Sequence, residues 1–245
     1  RFRLMLLVIL TLAPAFALAM RSASEQRRLA SIQAQENALR TARAAAGRLE
    51  QFIAAQRELL AIVAQLPAVR DRDLSGCSVS LQRVVRGDAW YVGMMVADPR
   101  GNVVCGAGQY SSGMQFSNHP AFREAFDLQR FSVSDYRIGP VSGKGLITFG
   151  QPIVDEAGRV QAVLLCTYDV HALSDIAAQA LLPEGSTLDA IDRHGTIIAR
   201  YPDPDAWLGR SVAASPIMEA IRARQGEGVV EAVGEDGLHD GRRCN

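Results

Sequence analysis

Three polar side chains near the middle of the sequence are of the types that hydrolytic enzymes use: His119, Ser134 and Asp135. A serine nucleophile, a histidine base and an orienting carboxylate transfer acyl groups when the fold brings them within hydrogen-bond reach. No serine lies in the Gly-x-Ser-x-Gly turn that exposes such a nucleophile in many hydrolases. The sequence therefore keeps a hydrolase-like enzyme as an alternative function and predicts no catalytic residue.

Two other patterns that could hold a cofactor fail on spacing. The segment Gly139–Gly145 (GPVSGKG) has three residues where a phosphate-binding loop has four, and Gly145 replaces the hydroxyl residue that contacts the metal. The four histidines form no His-Glu-x-x-His, and their spacing to the cysteines fits no zinc site. We therefore expect neither a cofactor nor a metal.

The composition narrows the class of protein. The 245 residues are 48% hydrophobic and 21% charged, which is too apolar for an intrinsically disordered chain. Basic and acidic residues balance to a formal net charge of zero. Binding to phosphate backbones needs a clustered positive surface, so nucleic acid is not an expected partner.

The first twenty residues carry much of the apolar content. From Leu4 to Met20 there are seventeen uncharged residues, about the minimum that crosses a bilayer as a helix. The basic residues before this run and Ala17-Leu18-Ala19 near its end also fit a cleavable secretory signal. Helical sequence continues past Met20, which indicates that residues 1–20 are a retained membrane anchor and not a cleaved signal. Under either interpretation the rest of the chain is exported.

Export changes the meaning of the cysteines, because disulfides form outside the cytoplasm. Cys77 follows a long helical segment and Cys105 ends a predicted strand. The two are candidates for a disulfide, with two free thiols as the alternative. Cys166 lies inside an apolar run and is expected to be a buried small side chain.

A long helix and a series of turns organise the chain after the anchor. Residues 22–66 contain no proline and keep apolar residues on one helical face, so a single long helix is predicted. Three later Asp-x-x-Gly segments, each between β-rich runs, predict three hairpins. Further predicted elements are strands at Phe131–Ile138, Leu146–Gln151 and Gly228–Val233, and helices at Pro120–Leu128, His171–Leu181 and Pro216–Arg224. Hairpins interrupted by helices, in two successive units, predict an α+β fold.

The combined order of these segments resembles the double Cache periplasmic sensor modules of bacterial sensor histidine kinases and diguanylate cyclases. The segments that carry the resemblance are VADPRGNVVC, NHPAFREAF, IGPVSGKGLITFGQPIVDEAGRV and LPEGSTLDAIDRHGTIIARYPDPDAWLGRS. The resemblance implies two tandem PAS-like units beside the long helix, dimerisation through that helix and a disulfide between Cys77 and Cys105. The expected divisions are an anchor at 1–20, a periplasmic helix at 21–70, a membrane-distal unit at 71–182 and a truncated membrane-proximal unit at 183–245.

The resemblance also bears on the ligand. Amino-acid-sensing relatives carry an arginine, a tryptophan, a tyrosine and an aspartate at positions that here hold His119, Ala121, Tyr136 and Thr167, so only the tyrosine is kept. Without the aspartate an ammonium group would be poorly held. A small carboxylate or a neutral polar metabolite is therefore the expected ligand, in the distal unit. The predicted binding residues are Arg123, Ser134, Tyr136, Thr148 and Thr167, although Arg123 could equally face solvent.

Together these observations predict the extracytoplasmic ligand-sensing domain of a receptor in the bacterial inner membrane, with a single N-terminal span and the bulk of the chain in the periplasm. The signalling output, a kinase or cyclase module in the resembling proteins, is not expected within this chain, which is predicted not to be an enzyme. The alternatives are an exported hydrolase-like enzyme and a secreted small-molecule-binding protein.

Overall fold

The computed structural model describes residues 2–71, 73–110, 113–179, 182, 185–215, 218–219 and 223. Within these residues the elements run in the order α1 (Phe2–Ala64), α2 (Pro67–Arg70), α3 (Leu74–Val85), β1 (Tyr91–Ala97), β2 (Val103–Gly108), α4 (Pro120–Leu128), β3 (Ser132–Val133), β4 (Arg137–Ile138), β5 (Gly145–Val154), β6 (Val160–Asp169), α5 (His171–Ala178), β7 (Leu188–Ile191), β8 (Ile197–Tyr201) and α6 (Pro204–Trp207).

The long predicted helix is continuous with the N-terminal segment. Helix α1 has 63 residues, and Pro67, which lacks an N–H group, starts the short helix α2 after it. The last turns of α1 pack on the sheet, where Leu60 is fully buried. No helix in the described part of the chain combines the length and the apolar character that crossing a membrane requires. The predicted span over residues 1–20 stays a prediction.

Six strands form one antiparallel sheet in the order β2-β1-β6-β5-β3, and β4 pairs with the same edge of β5 as β3. The predicted strand Phe131–Ile138 is split into β3 and β4. Ser132 pairs with Gly150 and Arg137 pairs with Leu146. Between these two pairs the chain through β3 and β4 advances five residues, whereas β5 advances four. This extra residue is a β-bulge, which moves the side chains that follow it to the other face of the sheet.

The three predicted hairpin turns are confirmed and share one geometry. One carboxylate oxygen of each leading aspartate accepts the backbone N–H groups two and four residues later, at 2.9 Å in every case. The closing glycines have φ between 76° and 84°, a region that L side chains rarely adopt. The residue pairs are Asp98 and Gly101, Asp155 and Gly158, and Asp192 and Gly195.

Helix α3 was not predicted, and it brings the two cysteines together. Asp73 caps its first turn by accepting the N–H groups of Ser75 and Gly76. Cys77 on α3 forms a disulfide with Cys105 on β2, with 6.1 Å between their Cα atoms. The bond fastens α3 to the edge strand of the sheet.

The sheet has a helix-covered core on each face. On one face, side chains of α1, α3 and the sheet form the larger cluster, which includes Leu60, Leu81, Met94, Phe149 and Leu164. On the other face, side chains of α4 and the sheet form the smaller cluster, which includes Met95, Ala121, Phe122, Val163 and Leu165. Core side chains cover only part of the sheet face that α4 packs on. A cavity lies over the rest of that face.

The third hairpin forms a separate two-stranded sheet, β7-β8. It packs on α5, and the backbone N–H of Arg200 donates to Ser174 Oγ at 3.2 Å. The predicted strand Gly228–Val233 and most of the predicted helix Pro216–Arg224 lie outside the described residues. The α+β class with an antiparallel sheet is confirmed, while the tandem arrangement and the division into units remain predictions.

Candidate functional site

The candidate site is a cavity of about 440 Å³ on the sheet face opposite α1. Strands β1, β5 and β6 form its floor. The segments before α4 and between β4 and β5 form its sides. The described lining residues are Val92, Met95, Gln109, Met114, Gln115, Phe116, His119, Arg137, Ile138, Gly139, Pro140, Val141, Ser142, Leu146, Thr148 and Thr167.

Two of the predicted binding residues meet on the floor. Thr148 of β5 and Thr167 of β6 are register partners, so their side chains lie side by side on the same face. Both are buried in the protein and line the cavity. Their hydroxyl groups can donate or accept hydrogen bonds to a bound molecule.

Arg137 supplies the positive charge of the cavity. It pairs with Leu146 across the β4–β5 ladder, and register partners share a face, so both side chains reach the cavity. None of the described lining residues is acidic, and no described residue forms an ion pair with Arg137. The site therefore offers a guanidinium to an anionic group and no carboxylate to a cationic one.

His119, the residue just before α4, is the second nitrogen-bearing side chain of the cavity. Its ring lies 5.5 Å from the ring of Phe116, and its Nδ1 is sealed from solvent with no hydrogen-bond partner. Burial, together with the nearby charge of Arg137, lowers the pKa of His119 to about 4. The imidazole is therefore neutral at physiological pH.

The other three predicted binding residues lie elsewhere. Arg123 is exposed on α4 and does not line the cavity. Ser134 Oγ is buried and bonded within the protein, accepting the N–H of Thr148 at 2.9 Å and donating to the carbonyl of Asp135. The ring of Tyr136 lies against Gly145, and burial raises the pKa of its hydroxyl.

The β-bulge explains why Arg137 takes the place that the sequence pattern assigned to its neighbours. Simple alternation along Phe131–Ile138 puts Ser134 and Tyr136 on one face. The extra residue between β3 and β4 reverses that alternation, so Arg137 rather than Tyr136 stands opposite Leu146. A bulge leaves little trace in the hydrophobic pattern of a single strand, so the sequence pattern did not predict it.

The candidate hydrolytic residues are not assembled. Ser134 is hydrogen-bonded to Thr148 and does not line the cavity that His119 borders. Asp135 accepts instead from Arg193 Nε at 2.7 Å and from His194 Nε2 at 3.2 Å. These contacts attach the β3–β4 segment to the turn of the β7–β8 hairpin.

The glycine-rich segment is a tight turn held by an ion pair. The backbone N–H of Gly139 donates to the carbonyl of Lys144, and Lys144 Nζ lies 2.8 Å from the buried Asp169. Asp169 also accepts from the backbone N–H and Nδ1 of His171, whose Nε2 lies 2.9 Å from Asp205. Burial opposes ionisation of Asp169, but the bonds from Lys144 and His171 outweigh it and lower its pKa.

Among comparisons with known proteins, only the comparison of structures finds similar proteins. No protein-family model matches the chain, and no curated protein does. The sensory domain of the Campylobacter jejuni chemoreceptor Tlp3, with isoleucine bound, aligns over 76% of this chain and 77% of its own, with a TM-score of 0.60 and 16% identity. The ligand-binding domain of the Pseudomonas aeruginosa PAO1 amino acid chemoreceptor PctC, in complex with GABA, aligns over 82% of this chain and 87% of its own, with a TM-score of 0.59 and 14% identity.

A third match is the ligand-binding domain of the Pseudomonas fluorescens chemoreceptor CtaA in complex with L-serine. It aligns over 71% of this chain and 74% of its own, with a TM-score of 0.57 and 15% identity. The chain shares its fold with the ligand-binding domains of these chemoreceptors. At these identities the likeness concerns the fold, and the chemistry of the site has to come from this chain's own residues.

Two positions that the double Cache resemblance singled out are now placed. His119 and Thr167, which the resemblance matched to an arginine and an aspartate of amino-acid-sensing proteins, both line the cavity. The polar lining residues that the predicted binding set lacked are Gln109, Gln115, His119, Arg137 and Ser142.

Proposed function

We propose that this chain is the extracytoplasmic ligand-sensing domain of a bacterial transmembrane receptor, and that it binds a small carboxylate-bearing metabolite in the cavity above β5 and β6. The observation that carries the proposal is the charge pattern of the cavity: Arg137 lines it, and none of its described lining residues is acidic. A guanidinium binds a carboxylate with charge-assisted hydrogen bonds.

The size and the composition of the cavity support a small ligand. About 440 Å³ lies in the lower part of the range of small-molecule pockets. Polar groups on the floor, the hydroxyls of Thr148 and Thr167, are few and converge on the same space. Apolar walls with a few fixed polar groups are typical of binding sites for metabolites.

The comparisons support the sensing role at the level of the fold. The neighbours are ligand-binding domains of chemoreceptors, in complex with isoleucine, L-serine and GABA. Each of those ligands carries an ammonium group, for which the described lining of this cavity has no carboxylate. The proposal therefore differs from the neighbours in the class of ligand.

The same proposal places residues 71–182 in the membrane-distal unit, residues 183–245 in the membrane-proximal unit and residues 1–20 in the inner membrane. It pairs two copies through α1, whose first half leaves Leu29 and Ile32 exposed in the single chain. Ligand binding does work in such a dimer only if it favours one arrangement of the two copies over another.

A thermal-shift screen of the full chain in a mild detergent tests the proposal. Carboxylates, amino acids and neutral polar metabolites are compared, and each compound that raises the melting temperature is titrated by calorimetry. We expect carboxylates without an ammonium group to stabilise the protein. Arg137→Gln should weaken their binding by about 10- to 100-fold, since a hydrogen bond to a charged group contributes roughly 1.5–3 kcal/mol.

Arg123→Gln is the matched control, because it removes the same charge from an exposed position off the cavity. We expect it to bind as the unaltered chain does. The reverse result, with binding lost in Arg123→Gln and kept in Arg137→Gln, would place the ligand at the helix residue that the sequence analysis favoured. A folded protein that no compound stabilises would refute direct sensing.

A further inference from the structure

We infer that the ligand is a monocarboxylate with an uncharged, largely apolar body, and that His119 donates a hydrogen bond to the carboxylate that Arg137 neutralises. This inference rests on the proposed function and adds the class of ligand and a second recognition residue. It is argued from the charge of the lining, from its apolar walls and from the hydrogen bonding of His119.

The charge of the cavity limits the ligand to one ionised group. Arg137 is the one Lys, Arg, Asp or Glu among the described lining residues. A second carboxylate on the ligand would be buried without a cation, and an ammonium would be buried without an anion. Either group would keep its desolvation cost without a compensating ion pair.

The walls favour an apolar body. Half of the described lining side chains are hydrocarbon, thioether or aromatic groups; they are Val92, Met95, Met114, Phe116, Ile138, Pro140, Val141 and Leu146. A methylene chain or ring placed against them is removed from water, which favours binding in proportion to the apolar area buried. The hydroxyl and amide side chains of the cavity leave room for an uncharged polar substituent.

The hydrogen bonding of His119 identifies its donor atom. Nδ1 is sealed from solvent and has no partner, whereas Nε2 is not among the sealed, unpartnered atoms of the described residues. A proton on Nδ1 would be a buried donor without an acceptor, which is costly. The tautomer with the proton on Nε2 leaves only an unshared lone pair at Nδ1 and puts the N–H group on the ring nitrogen that is not sealed.

His119 and Arg137 both line the cavity. The charge of Arg137 also contributes to the lowered pKa of His119. A carboxylate has two oxygens with about four acceptor positions, so it can accept from the guanidinium and from Nε2–H together.

Two matched sets of acids test the ligand class. Butanoate, butanedioate and 4-aminobutanoate share a four-carbon chain and differ in the far end, as do hexanoate, hexanedioate and 6-aminohexanoate. We measure their affinities for the full chain by calorimetry. We expect the monocarboxylate of each set to bind at least tenfold more tightly than its dicarboxylate or amino counterpart.

Two variants test His119. His119→Phe keeps an aromatic ring but has no donor, and we expect it to weaken monocarboxylate binding by about tenfold. His119→Gln keeps an N–H donor and should retain most of the affinity. In the unaltered protein, ¹⁵N spectra of the histidine ring should show the proton on Nε2 and a shift of that N–H signal when butanoate or hexanoate binds.

The outcomes separate the inference from the proposed function. Carboxylate binding in which a dicarboxylate or amino acid is preferred leaves the sensing role in place and overturns the ligand class. Monocarboxylate binding with the proton on Nδ1, or with an unmoved Nε2–H signal, overturns the role of His119 even if a variant fails to fold. No binding of any carboxylate refutes the proposed function and the inference with it.

Discussion

Replacing His119 by glutamine should make the protein less sensitive to acid. The pKa of His119 is lowered to about 4 in the folded chain by burial and by Arg137, against about 6.5 in an unfolded chain. Below pH 6.5 the unfolded chain therefore binds a proton that the folded chain does not, and stability falls as the pH decreases. This contribution is fully present above pH 6.5 and is lost as the pH falls from 6.5 through 4.

The size of the effect follows from the two pKa values. At pH 4.5 the unfolded imidazole is almost fully protonated and the folded one is mostly neutral. The resulting loss of unfolding free energy between pH 7 and pH 4.5 is about 2.5 kcal/mol. Glutamine does not titrate in this range, so the variant should lack this loss and keep the losses caused by all other groups.

Urea unfolding of both proteins at pH 7 and pH 4.5, followed by far-UV circular dichroism, measures the difference. The same substitution at the exposed His194, whose side chain is 67% exposed, serves as the control for replacing a histidine. Equal losses in the unaltered protein and in His119→Gln would show that the imidazole is not held neutral. The burial argument for its tautomer would then fail as well.

Three further predictions concern the contacts that hold the fold. Replacing Cys77 and Cys105 by serine should lower the unfolding free energy by roughly 3–4 kcal/mol, because the disulfide closes a loop with a sequence separation of 28 residues; reduction of the unaltered protein should give a similar loss in urea unfolding. Asp169→Asn should cost about 2 kcal/mol at pH 7, since the buried carboxylate is held by Lys144 and His171, and a loss at pH 7 no larger than at pH 3 would contradict this. Asp135→Asn should increase hydrogen exchange in the β7–β8 hairpin, because Arg193 and His194 in the hairpin turn lose their ion pairs with Asp135. Unchanged exchange would show that other packing holds the hairpin in place.

Local chemistry explains the parts of the fold that the sequence predicted well. Each Asp-x-x-Gly turn forms because an aspartate and a glycine within four residues satisfy the turn's own backbone groups. Helix α4 begins at Pro120 as predicted, since proline is suited to the first helical turn. From residue 22 to its end at Ala64, α1 contains no proline, which explains why the helix is unbroken there.

The candidate site was only partly predictable. Thr167 was predicted through the family resemblance and Thr148 as a further polar candidate, and the structure places both as register partners in long, regular strands that line the cavity. His119 entered the sequence analysis only as a departure from a family pattern and as a candidate base. Its distinctive properties, a sealed Nδ1 and a lowered pKa, depend on Phe116, Arg137 and the surrounding burial.

The sequence by itself thus determined the turns, the helices with clear end signals, the antiparallel class and the absence of a family-type carboxylate at Thr167. The tertiary structure alone decided which arginine reaches the cavity. A single extra residue between β3 and β4 places Arg137 opposite Leu146 at the rim of the cavity, where its side chain is still exposed, while Arg123 on α4 does not line the cavity. Periodicity assigns each side chain to a face of the sheet only while the register is regular. A β-bulge depends on how two paired strands are hydrogen-bonded to each other, which the residues of one strand do not determine.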